Sequence, residues 1–261
     1  MEKFFFTKMT GAGTDFIILD NFPIIPDPVL IQKLCDRRNG IGADGLITIS
    51  VDQESDFRMV YYNSDGFPGS LCGNGARCAI KYAKSTGKIK GNYTKFIAGS
   101  KYYAGEILDD GLIKFYLEIP SVIKRNIIIS LGNKNLTVSF ADTGSPHVVV
   151  FIEEVTQYFG KKYNMNEIPI DRIGKEIRHN KEFSPGGANV NFISYEKDKL
   201  FIRTFERGVE SETLACGTGS VASAIISFLE NIIEPPVTLI TRSGEELKVD
   251  FNFQNNNFLN D

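Results

Sequence analysis

Tryptophan is absent from this chain, histidine occurs twice and cysteine only four times in 261 residues. No Cys-x-x-Cys pair and no His-Glu-x-x-His occurs, which leaves out the common zinc-site spacings and predicts a protein that needs no metal. Gly-x-Ser-x-Gly elbows and Walker loops are missing as well. No apolar run approaches the roughly 18–20 residues that span a bilayer, and the three-Phe run at Phe4-Phe-Phe6 is too short for a signal h-region. A cytoplasmic location is therefore expected, with no membrane partner. Cytoplasmic thiols stay reduced, so Cys35, Cys72, Cys78 and Cys216 are core filler or chemistry and not a disulfide framework. A surplus of basic charge is also lacking: 29 Lys and Arg stand against 32 Asp and Glu, for a net charge of −3. Nothing resembles the basic footprint of a phosphate-backbone binder, and nucleic acid is not an expected partner.

What remains is an ordinary globular composition, 42% hydrophobic and 23% charged, long enough for one large or two modest domains. Short β-rich runs alternate with two or three helices. Phe4–Phe6, Phe16–Asp20, Leu46–Val51, Phe57–Tyr62 and Ile113–Ile119 read as strands, and so do Leu136–Phe140, Val148–Ile152, Val190–Tyr195, Leu200–Phe205 and Val237–Ile240. Pro28–Arg37 reads as a helix with Leu30, Ile31, Leu34 and Cys35 on one face. A seam near Ile119-Pro120 divides the chain into halves at 1–118 and 119–250, and the Asn-rich tail at 251–261 is expected to fray or to return to the first half.

The halves repeat one pattern. Phe57–Tyr62 leads through a polar loop to Cys72-Gly-Asn-Gly75, and Leu200–Phe205 leads through a polar loop to Cys216-Gly-Thr-Gly219. Each unit is followed by small and aliphatic residues at helical spacing, Ala76, Ala79, Ile80 and Ala83 in one and Val221, Ala224, Ile225 and Phe228 in the other. Internal duplication is the economical explanation, and a pseudo-twofold arrangement would bring the two helix starts to face each other. A Cys at a helix N-terminus meets the positive end of the macrodipole, which favours thiolate, and Gly-X-Gly lets backbone amides approach a carboxylate closely. Two such sites in opposition can remove an α-proton on one face of a carbon and return one on the other, the chemistry of a racemase. Cys35, on an apolar helix face, and Cys78, turned away from Cys72, read as packing. Gly40-Ile-Gly-Ala-Asp-Gly45 fits the dinucleotide fingerprint literally, but it follows a helix and precedes a strand, the reverse of that motif's setting.

The chain resembles the diaminopimelate epimerase family, cofactor-independent enzymes that interconvert LL- and meso-diaminopimelate in lysine and peptidoglycan precursor synthesis. The likeness is carried in order by Lys8–Phe16, Asn39–Leu46, Tyr62–Gly66, Cys72–Cys78, Thr143–His147, Asn189–Phe192, Thr204–Gly208 and Ala215–Gly219. It implies a mixed α/β (α+β) fold of two pseudo-symmetric domains, each a curved, mostly antiparallel sheet wrapped around a central helix, and a homodimer. It assigns Cys72 and Cys216 as catalytic acid and base, and the amides of Gly73, Asn74, Gly217 and Thr218 as the holders of the reacting carboxylate. Asn63, Asn189, Glu206 and Arg207 fall at positions that bind the distal end of the substrate, itself an amino acid. Arg207 suits its carboxylate and Glu206 its ammonium. The family also places His147 close to the site.

Four positions depart from the family pattern. Thr14 and Ser145 stand where a substrate-contacting Asn is usual, and Gly45 where some members carry Gln; Thr10 replaces a His. These changes leave both thiols in place and thin out the distal contacts. A racemase of another amino acid, such as proline or histidine, is the nearest alternative, though proline-type members lack the Glu-Arg-Gly with its distal partners. An amino-acid binding protein and a redox thiol pair are rivals of another class.

Overall fold

The computed structural model describes residues 4–22, 25–69, 71–254 and 257–259. Its contacts divide the chain into Met1–Leu117 and Glu118–Asp261.

The first unit runs β1 (Thr7–Gly11), β2 (Thr14–Asp20), α1 (Pro28–Cys35), β3 (Gly45–Ser50), β4 (Phe57–Asn63), α2 (Gly73–Ser85), β5 (Tyr93–Ala98), β6 (Lys101–Ile107) and β7 (Ile113–Tyr116). Its strands form one sheet in sequence order, with β2–β3 and β4–β5 parallel and the other neighbours antiparallel. Both parallel pairs require a crossover, and the helices supply it: α1 joins β2 to β3 and α2 joins β4 to β5. Helix α2 touches β1 and β7, the two edge strands, as well as the strands between them, so the sheet curls around it. Phe16, Ile18, Ile47, Ile49, Met59 and Phe96 face α2, while Ile17, Leu19, Leu46 and Tyr62 turn to the opposite face beneath α1. That is why these strands are apolar throughout rather than alternating. The strand expected at Phe4–Phe6 is instead irregular and exposed. Pairing begins at Thr7, opposite Ile18, and Phe5 is 95% exposed.

The second unit runs β8 (Val122–Leu131), β9 (Lys134–Asp142), β10 (Pro146–Phe151), α3 (Ile152–Phe159), α4 (Ile170–Arg178), β11 (Asn189–Glu196), β12 (Lys199–Glu206), β13 (Ser211–Thr213), α5 (Gly217–Leu229), β14 (Val237–Ile240), β15 (Glu246–Val249), β16 (Asn252–Gln254) and β17 (Asn257–Leu259). The sheet order is β15-β14-β12-β11-β10-β9-β8, with β10–β11 and β12–β14 parallel. From β9 onward the sequence of antiparallel and parallel pairings repeats that of the first unit from β1, so β9, β10, β11, β12, β14 and β15 correspond to β1 through β6. Helix α5 corresponds to α2 and lies against the same succession of strands. The duplication read from the Cys-Gly-X-Gly units is thus present in the topology. β16 and β17 neither fray nor join the first unit. They form a hairpin that closes on the end of α5, where Phe228, Phe251, Phe253 and Phe258 meet at centroid distances of 4.8–5.5 Å.

One close approach sets the position of the strand that leads to Glu206 and Arg207. A Cβ on Gly174, in the middle of α4, would lie 2.5 Å from Phe205 Cβ and 2.7 Å from its Cγ. Glycine inside a helix costs roughly 1 kcal/mol relative to alanine, yet here the clash is with the stem of a fully buried Phe, which cannot swing aside. Overpacking of that kind costs about 1–3 kcal/mol, so it outweighs the propensity gain. Gly174→Ala is expected to lower the thermal midpoint by several degrees; an unchanged or raised midpoint in a thermal melt would refute this packing account.

Candidate active site

Cys72 and Cys216 are the N-cap residues of α2 and α5, with extended backbone at φ −97°, ψ 113° and φ −127°, ψ 112°. The carbonyl of Cys72 accepts from the Ala76 amide at 2.8 Å and that of Cys216 from Ser220 at 2.9 Å, so each cysteine opens its helix through its own backbone. Neither side chain caps its helix. The first-turn amides, those of Gly73, Asn74 and Gly75 in one unit and of Gly217, Thr218 and Gly219 in the other, face out of the helix end, where an anion is welcome. Both cysteines are half-buried.

Sheet register matches the surroundings of the two helix starts position by position. Phe16 is opposite Gly45, which is opposite Asn63; His147 is opposite Asn189, and Asn189 falls opposite Glu206 one step beyond the Val190–Phe205 pair. Ile47 is opposite Tyr61, as Asn191 is opposite Thr204. The second glycine of each Cys-Gly-X-Gly rests on the equivalent pair. A Cβ on Gly75 would meet Ile47 at 3.1 Å and Phe16 at 3.5 Å, and one on Gly219 would meet Asn191 Oδ1 at 2.3 Å and His147 Cε1 at 3.2 Å. The same architecture therefore carries an apolar floor, Phe16–Ile47–Tyr61, beneath one cysteine helix and a polar floor, His147–Asn191–Thr204, beneath the other.

That polar floor is a connected network with no exposure to water at His147 or Asn191. Asn191 Nδ2 donates to the Val148 carbonyl at 3.1 Å, which fixes the orientation of the amide, and also to His147 Nδ1 at 3.0 Å. Its Oδ1 accepts from the Thr204 hydroxyl at 3.0 Å. With Nδ1 an acceptor, the neutral imidazole carries its proton on Nε2, 2.9 Å from both Thr218 Oγ1 and Ser145 Oγ. When the Thr218 hydroxyl accepts that proton, its own is left to point at Cys216 Sγ, 3.5 Å away. A hydroxyl donating to sulfur favours the thiolate. Thr143 Oγ1 donates to the Thr218 carbonyl at 3.1 Å and ties the start of α5 to the end of β9.

The binding residues expected from sequence fall into these same clusters. Thr14 Oγ1 accepts from Asn74 Nδ2 at 3.1 Å, and Asn74 Oδ1 accepts from Arg77 at 2.7 Å. Ser145 Oγ lies 3.3 Å from Thr218 Oγ1. Thr14 and Ser145 thus occupy corresponding places, each bonded to the X residue of its own Cys-Gly-X-Gly. Asn189, 5% exposed, joins two backbones, donating to the Pro146 carbonyl at 3.1 Å and accepting from the Arg207 amide at 2.8 Å. Glu206 and Arg207 are half-buried at the end of β12, and Asn63 is half-buried at the end of β4.

The first unit holds its equivalent segments by ions. Asp15 and Asp44 each accept from the other's backbone amide, at 2.9 and 3.1 Å, and Arg37 bridges both carboxylates, at 2.8 Å to Asp15 and 2.7 Å to Asp44. Burial works to raise the Asp15 pKa, but hydrogen bonds from Arg37, Lys8 and Asp44 outweigh it and hold the carboxyl well below the usual carboxylate range. Cys35 is buried beneath this cluster, and burial, followed by the charges of Asp15 and Asp44, pushes its thiol up to about 11, as befits packing rather than chemistry. Cys78 is buried in the core beneath α2.

The diaminopimelate epimerase family profile matches residues 6–100 and 139–259. A diaminopimelate epimerase of Chlorobaculum tepidum is 42% identical over 251 residues, covering 94% of this chain and 91% of the relative. One from Flavobacterium psychrophilum is 41% identical, covering 97% and 93%. The chain belongs to the diaminopimelate epimerase family. Among solved structures, a probable proline racemase from Agrobacterium radiobacter superposes with a TM-score of 0.70 at 12% identity, covering 95% of this chain and 84% of that one. A hydroxyproline epimerase from Agrobacterium vitis gives 0.65 at 13%, covering 97% and 86%. At such low identity these two establish the shared fold.

Relative to the epimerase pattern, sequence reasoning passed over Asn191 and Thr204, which complete the network behind Cys216. The signal was present in Asn189-Val190-Asn191, two amides on one face of a strand otherwise apolar up to Ser194. Burial, then the charge of Arg207, holds the His147 pKa down at about 3. The folded state keeps this imidazole neutral while the unfolded chain protonates it below about 6.5. Stability contributed by the neutral ring is therefore full above pH 6.5 and is lost as pH falls toward 3, with a slope near 1.4 kcal/mol per pH unit. Denaturant unfolding between pH 7 and 5, above the range where carboxylates titrate, should show this slope in the wild type and its loss in His147→Gln. Equal slopes in both proteins would contradict the buried neutral assignment.

Proposed function

We propose that this chain epimerises LL-diaminopimelate to meso-diaminopimelate without a cofactor, with Cys72 and Cys216 exchanging the roles of general base and general acid. The observation that carries the reading is the pair of cysteines, each the extended N-cap of a Gly-X-Gly helix start, at corresponding positions of a duplicated fold. One thiolate takes the α-proton and becomes a thiol. The electron pair left on carbon spreads into the α-carboxylate, whose growing charge is met by the amides of Gly73, Asn74, Gly217 and Thr218. The other thiol gives its proton to the opposite face and becomes the thiolate, so the enzyme ends with its protonation reversed and no redox change.

At the distal end Arg207 pairs with the carboxylate and Glu206 with the ammonium, and Asn63, Thr14 and Ser145 add hydrogen bonds. Asn189 acts first by fixing the Arg207 backbone, and the second N–H of its amide is the one available to substrate. Because Thr14 and Ser145 already bond Asn74 and Thr218, the hydroxyls that replace longer amides also steady the residues whose backbone receives the reacting carboxylate. Both thiols must stay reduced, which suits the cytoplasm, and the protein acts as a homodimer in the synthesis of lysine and peptidoglycan precursors.

Solvent-deuterium incorporation at the α-carbon tests the reading. Reduced wild-type protein should exchange both LL- and meso-diaminopimelate, and should turn them over faster than proline, hydroxyproline or histidine; a reversed preference would sink the substrate assignment. Cys72→Ala and Cys216→Ala should each lower epimerisation by at least about 10²-fold, the lower end of what a positioned acid or base contributes. Near-normal turnover by either well-folded variant would remove that cysteine from the mechanism, while Cys35→Ala is expected to retain wild-type turnover.

A further inference from the structure

Tyr61 sits on β4 two residues before Asn63, so both project from the same face of the sheet. Its ring is pinned between two glycines. A Cβ on Gly45 would lie 2.5 Å from Tyr61 Cε2 and 3.2 Å from its hydroxyl, and one on Gly69 would lie 2.5 Å from Cε1, 2.7 Å from Cδ1 and 3.0 Å from Asn63 Oδ1. The edge of the ring meets Phe16, with centroids 6.0 Å apart and planes at 78°. The ring lies over both glycines, with its hydroxyl over Gly45, and Gly45 is the register partner of Asn63.

The duplication shows what this arrangement replaces. In the second unit the place of Gly45 is taken by Asn189 and that of Tyr61 by Thr204, a side-chain amide on the inner strand with a small hydroxyl beside it. In the first unit the inner strand carries no side chain at that point, and the neighbouring strand carries a phenol that reaches across to fill the vacancy. The ring is only half-buried.

We propose that Tyr61 is a specificity-determining residue of this site, its hydroxyl hydrogen-bonding the distal amino-acid group of the substrate alongside Asn63. A phenol offers one donor and two acceptor positions, so it can serve either the carboxylate or the ammonium of that group. The proposal rests on the epimerase reading above.

Tyr61→Phe keeps the ring and removes only the oxygen. Loss of one hydrogen bond to a charged substrate group should raise KM for LL-diaminopimelate about tenfold, with kcat within about twofold, because the distal end binds equally in ground and transition states. The thermal midpoint should stay within a few degrees, and both proteins are assayed well below it. If the wild type turns over diaminopimelate and Tyr61→Phe keeps the wild-type KM, the assignment of Tyr61 is overturned and the epimerase reading stands. An unchanged KM with a lowered midpoint overturns it too, marking a structural hydroxyl. If the wild type exchanges no deuterium into diaminopimelate, both readings fall together.

Discussion

The seating of the Cys216 helix on its sheet depends on a single missing methyl group, and the Cys72 helix rests on its sheet at the equivalent glycine with little room to spare. At Gly75 and at Gly219 the start of the helix lies directly on the side chains of two neighbouring strands, Phe16 and Ile47 in one unit and His147 and Asn191 in the other. A side chain at Gly219 would stand 2.3 Å from the Asn191 oxygen, so the helix would have to lift. Lifting it would carry the preceding three residues with it, and those residues are the cysteine and the amides proposed to receive the reacting carboxylate. The chemistry of the site is thus set by a contact made one turn below it, and each half of the chain makes that contact once.

Because the scaffold is repeated, the differences between its halves are informative. Two positions that are apolar beneath α2, Phe16 and Ile47, are polar beneath α5, and the polar set costs desolvation unless every member is bonded. Asn191 meets that demand by bonding Val148, His147 and Thr204 together, and the chain ends at the Thr218 hydroxyl beside Cys216. Beneath α2 the X residue is Asn74, held between Arg77 and Thr14. The two cysteines therefore share a backbone geometry while differing in what lies next to the sulfur. Equal geometry suits a reaction that must run in both directions, and unequal surroundings suit a substrate whose two directions are not mirror images.

The repeated Cys-Gly-X-Gly units, the helices after them and most of the strands were legible in the sequence, since each depends on local spacing. The helix starts carry the strongest signal because glycine, cysteine and the small-residue face that follows are all required within a dozen residues. What was not legible depends on register. Nothing local says that Gly45 answers to Asn189 or Tyr61 to Thr204, because those correspondences appear only when strands distant in sequence are laid side by side. The run Phe4–Phe6 misled for a related reason: aromatic residues favour strands, yet the pairing of β1 with β2 stops at Thr7 opposite Ile18, although β2 itself runs on to Asp20. The tail misled because its asparagines dominate the composition while its three phenylalanines decide the packing.

The distal-end residues are held by two kinds of tie, and the difference decides how each tie acts. In the second unit Asn189 is almost fully buried, and its amide links Pro146 to Arg207 through neutral hydrogen bonds that salt does not screen. In the first unit the starts of β2 and β3, which correspond to those of β10 and β11, are drawn together by Arg37, whose side chain is 56% exposed. An ion pair so open to solvent adds little to stability, of order 0–1 kcal/mol. Its contribution is directional: a planar guanidinium that spans two carboxylates, each also bonded to the other's backbone amide, admits one spacing between the start of β2 and the start of β3. Thr14 immediately precedes Asp15, and Gly45 immediately follows Asp44, so that spacing is also the distance between the Thr14 hydroxyl and the floor on which Tyr61 rests.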